Sequence, residues 1–502
     1  MRRPATEREA QAQSDPNHPP HDTPDEPISN GKLIALIAGP VVAAILFFLP
    51  APPDMPTEAW HLVAVAAWMV IWWLTEAIPL AATALLPIVL LPIFGIQPVD
   101  DVTPRYGNDL IFLFLGGFIL AGAMQKWGLH RRIALMIVRA IGSTPSRIVM
   151  GFMLSTAFLS MWISNTATAV MMYAVGVSVI DFIDERVDDK KLVHNFGVAL
   201  MLAIAYSASI GGVGTLIGTP PNALLAGTLS DSYDVEIGFL QWMLLGVPVV
   251  IVMLPVAYLV LTRLVFPMGG LELGGVRSVI DREYEELGDM ERGEIIVAVI
   301  FGLAAFFWIT RSFLGLPIND AGIAMTAAVL LFAIPAGKSQ GFVLDWGVAR
   351  TLPWGVLLLF GGGLALAGAF DATGLAGWIG DRVAALEGAN LWLLIVAVAV
   401  CIILLTEITS NTASTATFLP ILGAVAVGIG LDVPWLTVPV ALGASMAFMM
   451  PVATPPNAIV FSYERMTLAD MARAGVVLNI CSVVAVFLAM RFLAGPVFGI
   501  AP

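Results

Sequence analysis

The sequence predicts an all-α polytopic membrane protein made of two inverted repeats, and three observations carry that expectation. Of the 502 residues, 58% are hydrophobic and only 12% charged. A soluble domain carries about 25% charged residues, so this chain lacks the polar surface a soluble protein of its size needs. Apolar runs such as 33–49 and 295–310 recur along the chain, each most of the roughly 20 residues that span a bilayer. Finally, three short motifs occur twice, in the same order.

Taken in order, residues 1–31 are rich in Pro, Asp, Glu, Gln and His and show no apolar periodicity. Such a composition cannot bury enough surface to order itself and offers no apolar core for a cleavable signal, so a disordered cytoplasmic tail is expected. The first repeat is expected over 32–265, with spans at 33–50, 60–77, 79–97 and 108–124, a long apolar region at about 145–181, and spans near 193–227 and 238–265. A charged cytoplasmic linker, 266–292, leads to the second repeat, 293–502. Its spans are 293–313, 319–336 and 353–370, then a second long region at about 389–431, then 434–464 and 470–494.

Lys and Arg in short loops set the orientation. Arg2, Arg3, Arg8 and Lys32 hold the N-terminus inside, and Lys126 to Arg132, Arg186, Lys190, Lys191, Arg277, Arg282, Arg292, Lys338 and Arg350 then also fall inside. Arg105, Arg311 and Arg382 fall outside as exceptions. Parity requires 145–181 to return to the face it entered from, as a hairpin does; two full crossings give the same parity. The net charge of -13 lies largely in the tail, in 228–237 and in 272–294, which read as solvated loops. No basic stripe exists to neutralise phosphates, which excludes nucleic acid as a partner. Cys401 and Cys481 sit in apolar runs and imply no disulfide framework.

The repeat is carried by three pairs. Phe114-Leu115-Gly116-Gly117 through Ala121-Gly122-Ala123 resembles Phe360-Gly361-Gly362-Gly363 through Ala367-Gly368-Ala369. Ser164-Asn165-Thr166 recurs as Ser410-Asn411-Thr412, both pairs at a spacing of 246 residues. Gly218-Thr219-Pro220-Pro221-Asn222 recurs as Ala453-Thr454-Pro455-Pro456-Asn457, at 235. The expected topology runs the two glycine-rich spans in opposite directions, and inverted repeats with interrupted helices in corresponding positions mark secondary transporters with a midplane site.

Ser-Asn-Thr stands in the middle of each long apolar region, where polar residues are costly unless they line a cavity or find partners. Read as a hairpin tip, it begins the returning helix and caps it. Thr-Pro-Pro-Asn reads as a helix broken at 218–222 and again at 453–457, since proline stops the incoming helix and suits the first turn of the next; Thr219 and Thr454 become the caps. Four helix N-termini would then face one pocket and favour an anion. Backbone carbonyls with Ser, Thr and Asn oxygens would favour a hard cation such as Na+. Alone, Ser-Asn-Thr reads as an interhelical packing site and Pro-Pro as a kink; the duplication favours a site. Glu76 and Glu407 lie in or beside apolar runs, where an acidic group is a functional candidate, though hydrogen-bonding roles are favoured for both. Trp72, Trp73 and Trp162 read as interface anchors or packing, and His61, His130 and His194 show no metal-ligand spacing. No nucleophile–base pair is spaced for catalysis and no Walker-type loop is present, so no enzyme is expected.

At these motifs, with Thr75-Glu76-Ala77-Ile78-Pro79-Leu80 and Lys126-Trp127-Gly128-Leu129-His130-Arg131-Arg132, the chain resembles the divalent anion/sodium symporter family, the di- and tricarboxylate transporters, from about Leu33 to Ala494. The resemblance implies 11 transmembrane helices plus two re-entrant hairpins, a homodimer in the lipid of the inner membrane, and elevator-type movement. It implies one sodium site at Ser160, Ser164, Asn165 and Gly218 and a second at Thr406, Thr409, Asn411 and Ala453. Ser160 and Thr406 share the 246 spacing. The substrate carboxylates would meet Ser164, Asn165, Thr166, Thr219, Ser410, Asn411, Thr412 and Thr454. Serine is common in relatives at Thr219, and a smaller residue at Thr409. The function expected is sodium-coupled import of C4-dicarboxylates such as succinate, malate and fumarate. Its rivals are a sodium-independent exchanger, which would place a basic or proton-linked group where these motifs have none, and a sulfate or other divalent-anion transporter. A membrane-embedded hydrolase lacks a dyad, and closed hairpin tips argue against a channel.

Overall fold

A computed structural model of the protein describes residues 29–142, 144–269, 276–337, 340–383, 388 and 390–501. The disorder expected of the tail therefore concerns residues that lie, up to 28, outside the described ones. The main helices are α1 (Asn30–Phe48), α2 (Thr57–Thr75), α3 (Asp109–Lys126), α4 (Leu129–Ile141), α5 (Pro145–Ser160), α6 (Asn165–Asp184), α7 (Lys190–Gly212), α8 (Pro220–Tyr233) and α9 (Phe239–Leu259). They continue as α10 (Arg292–Leu314), α11 (Asp320–Ala333), α12 (Trp354–Ala372), α13 (Leu391–Thr406), α14 (Asn411–Gly428), α15 (Pro434–Ala444), α16 (Pro455–Phe461) and α17 (Leu468–Ala489). Among the described residues, ten helices are long and apolar enough to cross a membrane, and four shorter apolar ones accompany them. The protein is an all-α polytopic membrane protein.

Proline and glycine decide where these helices stop. The span expected at 79–97 is two short helices, Leu80–Thr83 and Leu86–Ile93, and Pro87, in the first turn of the second, has no N–H to continue the ladder of the first. The region near 193–227, expected to break at 218–222, is two helices, α7 and α8, parted by turns over 213–219. The region 434–464, expected to break at 453–457, consists of α15, a 3-10 turn at Pro451–Ala453 and α16. After α11 the chain forms a small antiparallel pair, Pro335–Gly337 with Gly341–Phe342. The basic stretch read as a loop at 126–132 instead closes α3 at Lys126 and opens α4, whose Leu129, Ala134, Leu135 and Val138 are buried.

The core centres on α7, in which every residue from Phe196 to Gly212 is buried. It packs against α5, and Gly211 meets the backbone of Ala157 so closely that a Cβ there has no room. Gly475 of α17 meets the backbone of Phe448 in the same manner. Each of these contacts lies within one half, and the halves interlock through their resumed helices. The resumed helix α8 packs against α14, and the resumed helix α16 packs against α6 and α7. Each break in one half is therefore seated on a hairpin arm of the other.

Candidate functional site

In the first half, α5 ends at Ser160 and α6 starts at Asn165 after a tight turn. Ser164 holds the extended backbone of a cap (φ -55°, ψ 140°), and its Oγ accepts from the N–H of Ala167 at 3.2 Å. Ser160 is fully buried, and its Oγ lies 2.7 Å from the carbonyl of Ala208 and 2.5 Å from one terminal atom of the Asn165 carboxamide. That same terminal atom stands 3.2 Å from the Ala208 carbonyl and 3.2 Å from the Gly218 carbonyl. Turned nitrogen-inward, Asn165 donates to these oxygens; turned oxygen-inward, four oxygens converge on one point with a single hydroxyl proton among them. The break after α7 is secured by Asn222, whose Nδ2 donates to the carbonyls of Gly212 at 3.1 Å and Thr215 at 2.8 Å. Thr215 in turn donates its hydroxyl to the carbonyl of Met161, tying break to tip. Trp162, at the tip, packs among aromatic rings, as its packing role predicts.

The second half repeats these bonds. Thr406, fully buried, has its Oγ1 2.6 Å from Oδ1 of Asn411 and 3.2 Å from the carbonyl of Ala444. Asn457 donates from Nδ2 to the carbonyls of Ala447 at 3.3 Å and Met450 at 3.0 Å. Two details differ. Thr219 and Thr454 share an extended backbone, yet only Thr454 accepts from the N–H of residue 457, at 3.3 Å. Side-chain capping expected at Thr219 is thus absent, and Ser410 at the head of α14 makes no capping bond either. Thr409 has its hydroxyl 2.8 Å from Leu405 O and 2.7 Å from Ser414 Oγ.

Both tips and both breaks line one cavity of about 1110 Å³. Ser164, Asn165, Thr166, Gly218, Thr219, Thr409, Ser410, Asn411, Thr412, Ala453 and Thr454 all face it, while Ser160 and Thr406 stand behind the wall. The sequence motifs carry no cation, but the wall includes Lys32 and Lys126. Lys126 pairs with Asp345 at 2.7 Å, and this ammonium holds the Asp345 carboxyl below its usual range. Glu76 also lines the cavity, exposed, as the left-handed cap of α2 (φ 47°, ψ 43°). Glu407 is buried and hydrogen-bonded, the role favoured for it. Sequence reasoning did not name the carbonyls of Ala208 and Ala444, since an alanine inside an apolar helix carries no signal of what its backbone oxygen meets. Among the described residues, no group of three or more His, Cys, Asp or Glu stands ready to hold a metal ion. The arrangement offers hydroxyl, carboxamide and carbonyl oxygens beside N–H donors, which suits a hard monovalent cation beside an anion.

The model of the family described as "Sodium:sulfate symporter transmembrane region" matches residues 30–499. The chain is 43% identical over 481 residues to the "Sodium-dependent dicarboxylate transporter SdcS" of Staphylococcus saprophyticus, covering 94% of this chain and 93% of that protein. It is 42% identical over 486 residues to the protein of the same name from Staphylococcus aureus strain bovine RF122, covering 95% and 94%. Among solved structures, the YdaH transporter of Alcanivorax borkumensis, described as having an unusual topology, superposes with a TM-score of 0.54 at 15% identity, over 93% of this chain and 97% of that one, a likeness of fold alone.

Proposed function

The chain belongs to the divalent anion/sodium symporter family and is a transporter, not an enzyme; we propose that it couples the inward sodium gradient to import of C4-dicarboxylates across the inner membrane. One observation carries the sodium reading. In the second half the buried hydroxyl of Thr406, with one proton, faces two acceptor oxygens, those of Asn411 and Ala444, and in the first half Ser160 stands with the carbonyls of Ala208 and Gly218 around the Asn165 carboxamide. A hydroxyl donates once, so a cation among these oxygens resolves what a proton cannot. The first sodium would take Ser160, Ser164, Asn165 and Gly218, and the second Thr406, Thr409, Asn411 and Ala453. The dianion would lie between the tips, held by Ser164, Asn165, Thr166, Thr219, Ser410, Asn411, Thr412 and Thr454. The name shared by the two staphylococcal relatives supports a dicarboxylate as cargo.

In this reading the halves are inverted repeats and a pair of chains forms the homodimer. The domain holding both hairpins rides as an elevator, its interlocked breaks and tips moving as one body. With the N-terminus inside, the cavity wall that carries Lys32 and Lys126 opens to the cytoplasm, so the conformation is the inward-facing one. The description of the family favours one second reading, sulfate as the anion, because neutral donors do not set anion size. The test is uptake of labelled succinate into proteoliposomes, with sodium or with choline outside. Uptake that needs sodium and rises cooperatively with it supports symport; equal uptake in choline assigns the protein to sodium-independent exchange. Sulfate outcompeting succinate favours the second reading.

A further inference from the structure

We infer that Glu407 is a positioning residue of the second cation cluster and supplies its fixed negative charge; this rests on the sodium coupling proposed above. Glu407 follows Thr406 directly and is 4% exposed. Its carboxylate accepts from three successive backbone amides, Phe448 at 2.8 Å, Met449 at 3.0 Å to each oxygen, and Met450 at 2.9 Å, and from Nδ2 of Asn479 at 2.6 Å. Among the described residues, none of the ion pairs involves it.

Two consequences follow from these bonds. The amides it grips belong to the broken segment whose Met450 carbonyl accepts from Asn457 Nδ2 and from the N–H of Ala453 at 3.2 Å. The carboxylate thus sets where Ala453 and Thr454 stand relative to the tip. The second consequence is electrostatic. Neutral N–H donors stabilise a buried carboxylate but leave its net charge in place, and a buried charge without a counter-ion is costly. Thr406 of the oxygen cluster is the neighbouring residue in the chain, and a sodium ion in that cluster would offset this buried charge. The first half has no such group. Met161 stands 246 residues earlier, and there a neutral bond from Thr215 to the Met161 carbonyl makes the tie. The two clusters share a hydroxyl, a carboxamide and a helix carbonyl and differ by the acidic residue that follows the hydroxyl in the second, which is expected to fill at lower sodium than the first.

The experiment titrates sodium against thermal stability of the purified full chain without dicarboxylate, and against succinate uptake in proteoliposomes. Glu407→Gln removes the charge, and the sodium needed for half-effect is expected to rise about tenfold. Glu407→Asp keeps the charge on a shorter arm; it is expected to lose stability in choline as Glu407→Gln does, yet to stay within about threefold of the parent in sodium. A role in bonding alone makes the sodium requirement follow stability, so an equal rise in both variants overturns the charge assignment. An unchanged sodium requirement in Glu407→Gln overturns the whole inference. If Glu407→Gln does not fold, Glu407→Asp decides alone, parental sodium dependence supporting the proposal and a rise of about tenfold overturning it. A parent whose uptake ignores sodium fails the symport reading itself, which the parent titration shows before any variant is made.

Discussion

The indole of Trp162 lies nearly parallel to that of Trp308, with centroids 6.4 Å apart and planes 14° from parallel, and Phe239 stacks on both. Trp308 also donates from Nε1 to the carbonyl of Asp320 at 3.0 Å, and Asp320 is held by Arg311. The first hairpin tip is therefore anchored through aromatic faces to α9 and α10, while Trp162 itself is 9% exposed. Trp162→Ala is expected to cost about 3–5 kcal/mol, as large-to-small core changes do, and Trp162→Phe clearly less. Thermal unfolding in detergent measures both; equal, small losses would mean that the stack does not hold the tip.

Removing the two buried hydroxyls separates sodium binding from folding. Ser160→Ala and Thr406→Val delete one cluster oxygen each with little change of volume. The sodium requirement for uptake is expected to rise in both, at near-parental protein levels in the membrane. Sodium curves identical to the parent's would place the cation elsewhere.

Asn165→Ala and Asn411→Ala each remove a group that serves cluster and cavity together. Transport is expected to fall to background in both, with insertion retained because the change is polar-to-small at a cavity wall. Parental uptake by either, at normal abundance, would show that half of the site to be misassigned.

Two opposed sets of donors fit an anion with a carboxylate at each end. Succinate, malate and fumarate are expected to compete with one another, acetate poorly, and citrate less well than the four-carbon acids. Protonating one carboxylate leaves one set of donors unmatched, so dicarboxylates lose potency as pH falls through their second pKa. Inhibition of labelled succinate uptake across a pH series measures this, and acetate matching succinate would refute it.

Much of this site was legible because polar and helix-breaking residues stand out in an apolar chain. Helices begin at Asn165 and Asn411, inside motifs that interrupt long apolar regions, and at Pro220 and Pro455, where the double prolines put first turns. The remainder depended on contacts that leave no mark in sequence. Ala208 and Ala444 act through backbone oxygens. Glu407 was visible as an acidic group out of place, but its partners are backbone amides 41 to 43 residues onward and a side chain 72 residues away. The helix α4 was hidden because its charges crowd its first turn; buried Arg132, which reads as a loop cation, is neutralised by Glu294 at 2.6 Å. The expected span at 79–97 is shorter and broken at 84–85, because hydropathy does not register the missing N–H of Pro87.

The crossed seating of α8 on α14 and of α16 on α6 bears on how such a protein can be divided. Cut within the linker around 276–285, neither fragment would possess the surface its own resumed helix rests on, and each would present to lipid a face shaped for the other. The gene is therefore not two autonomous modules in tandem.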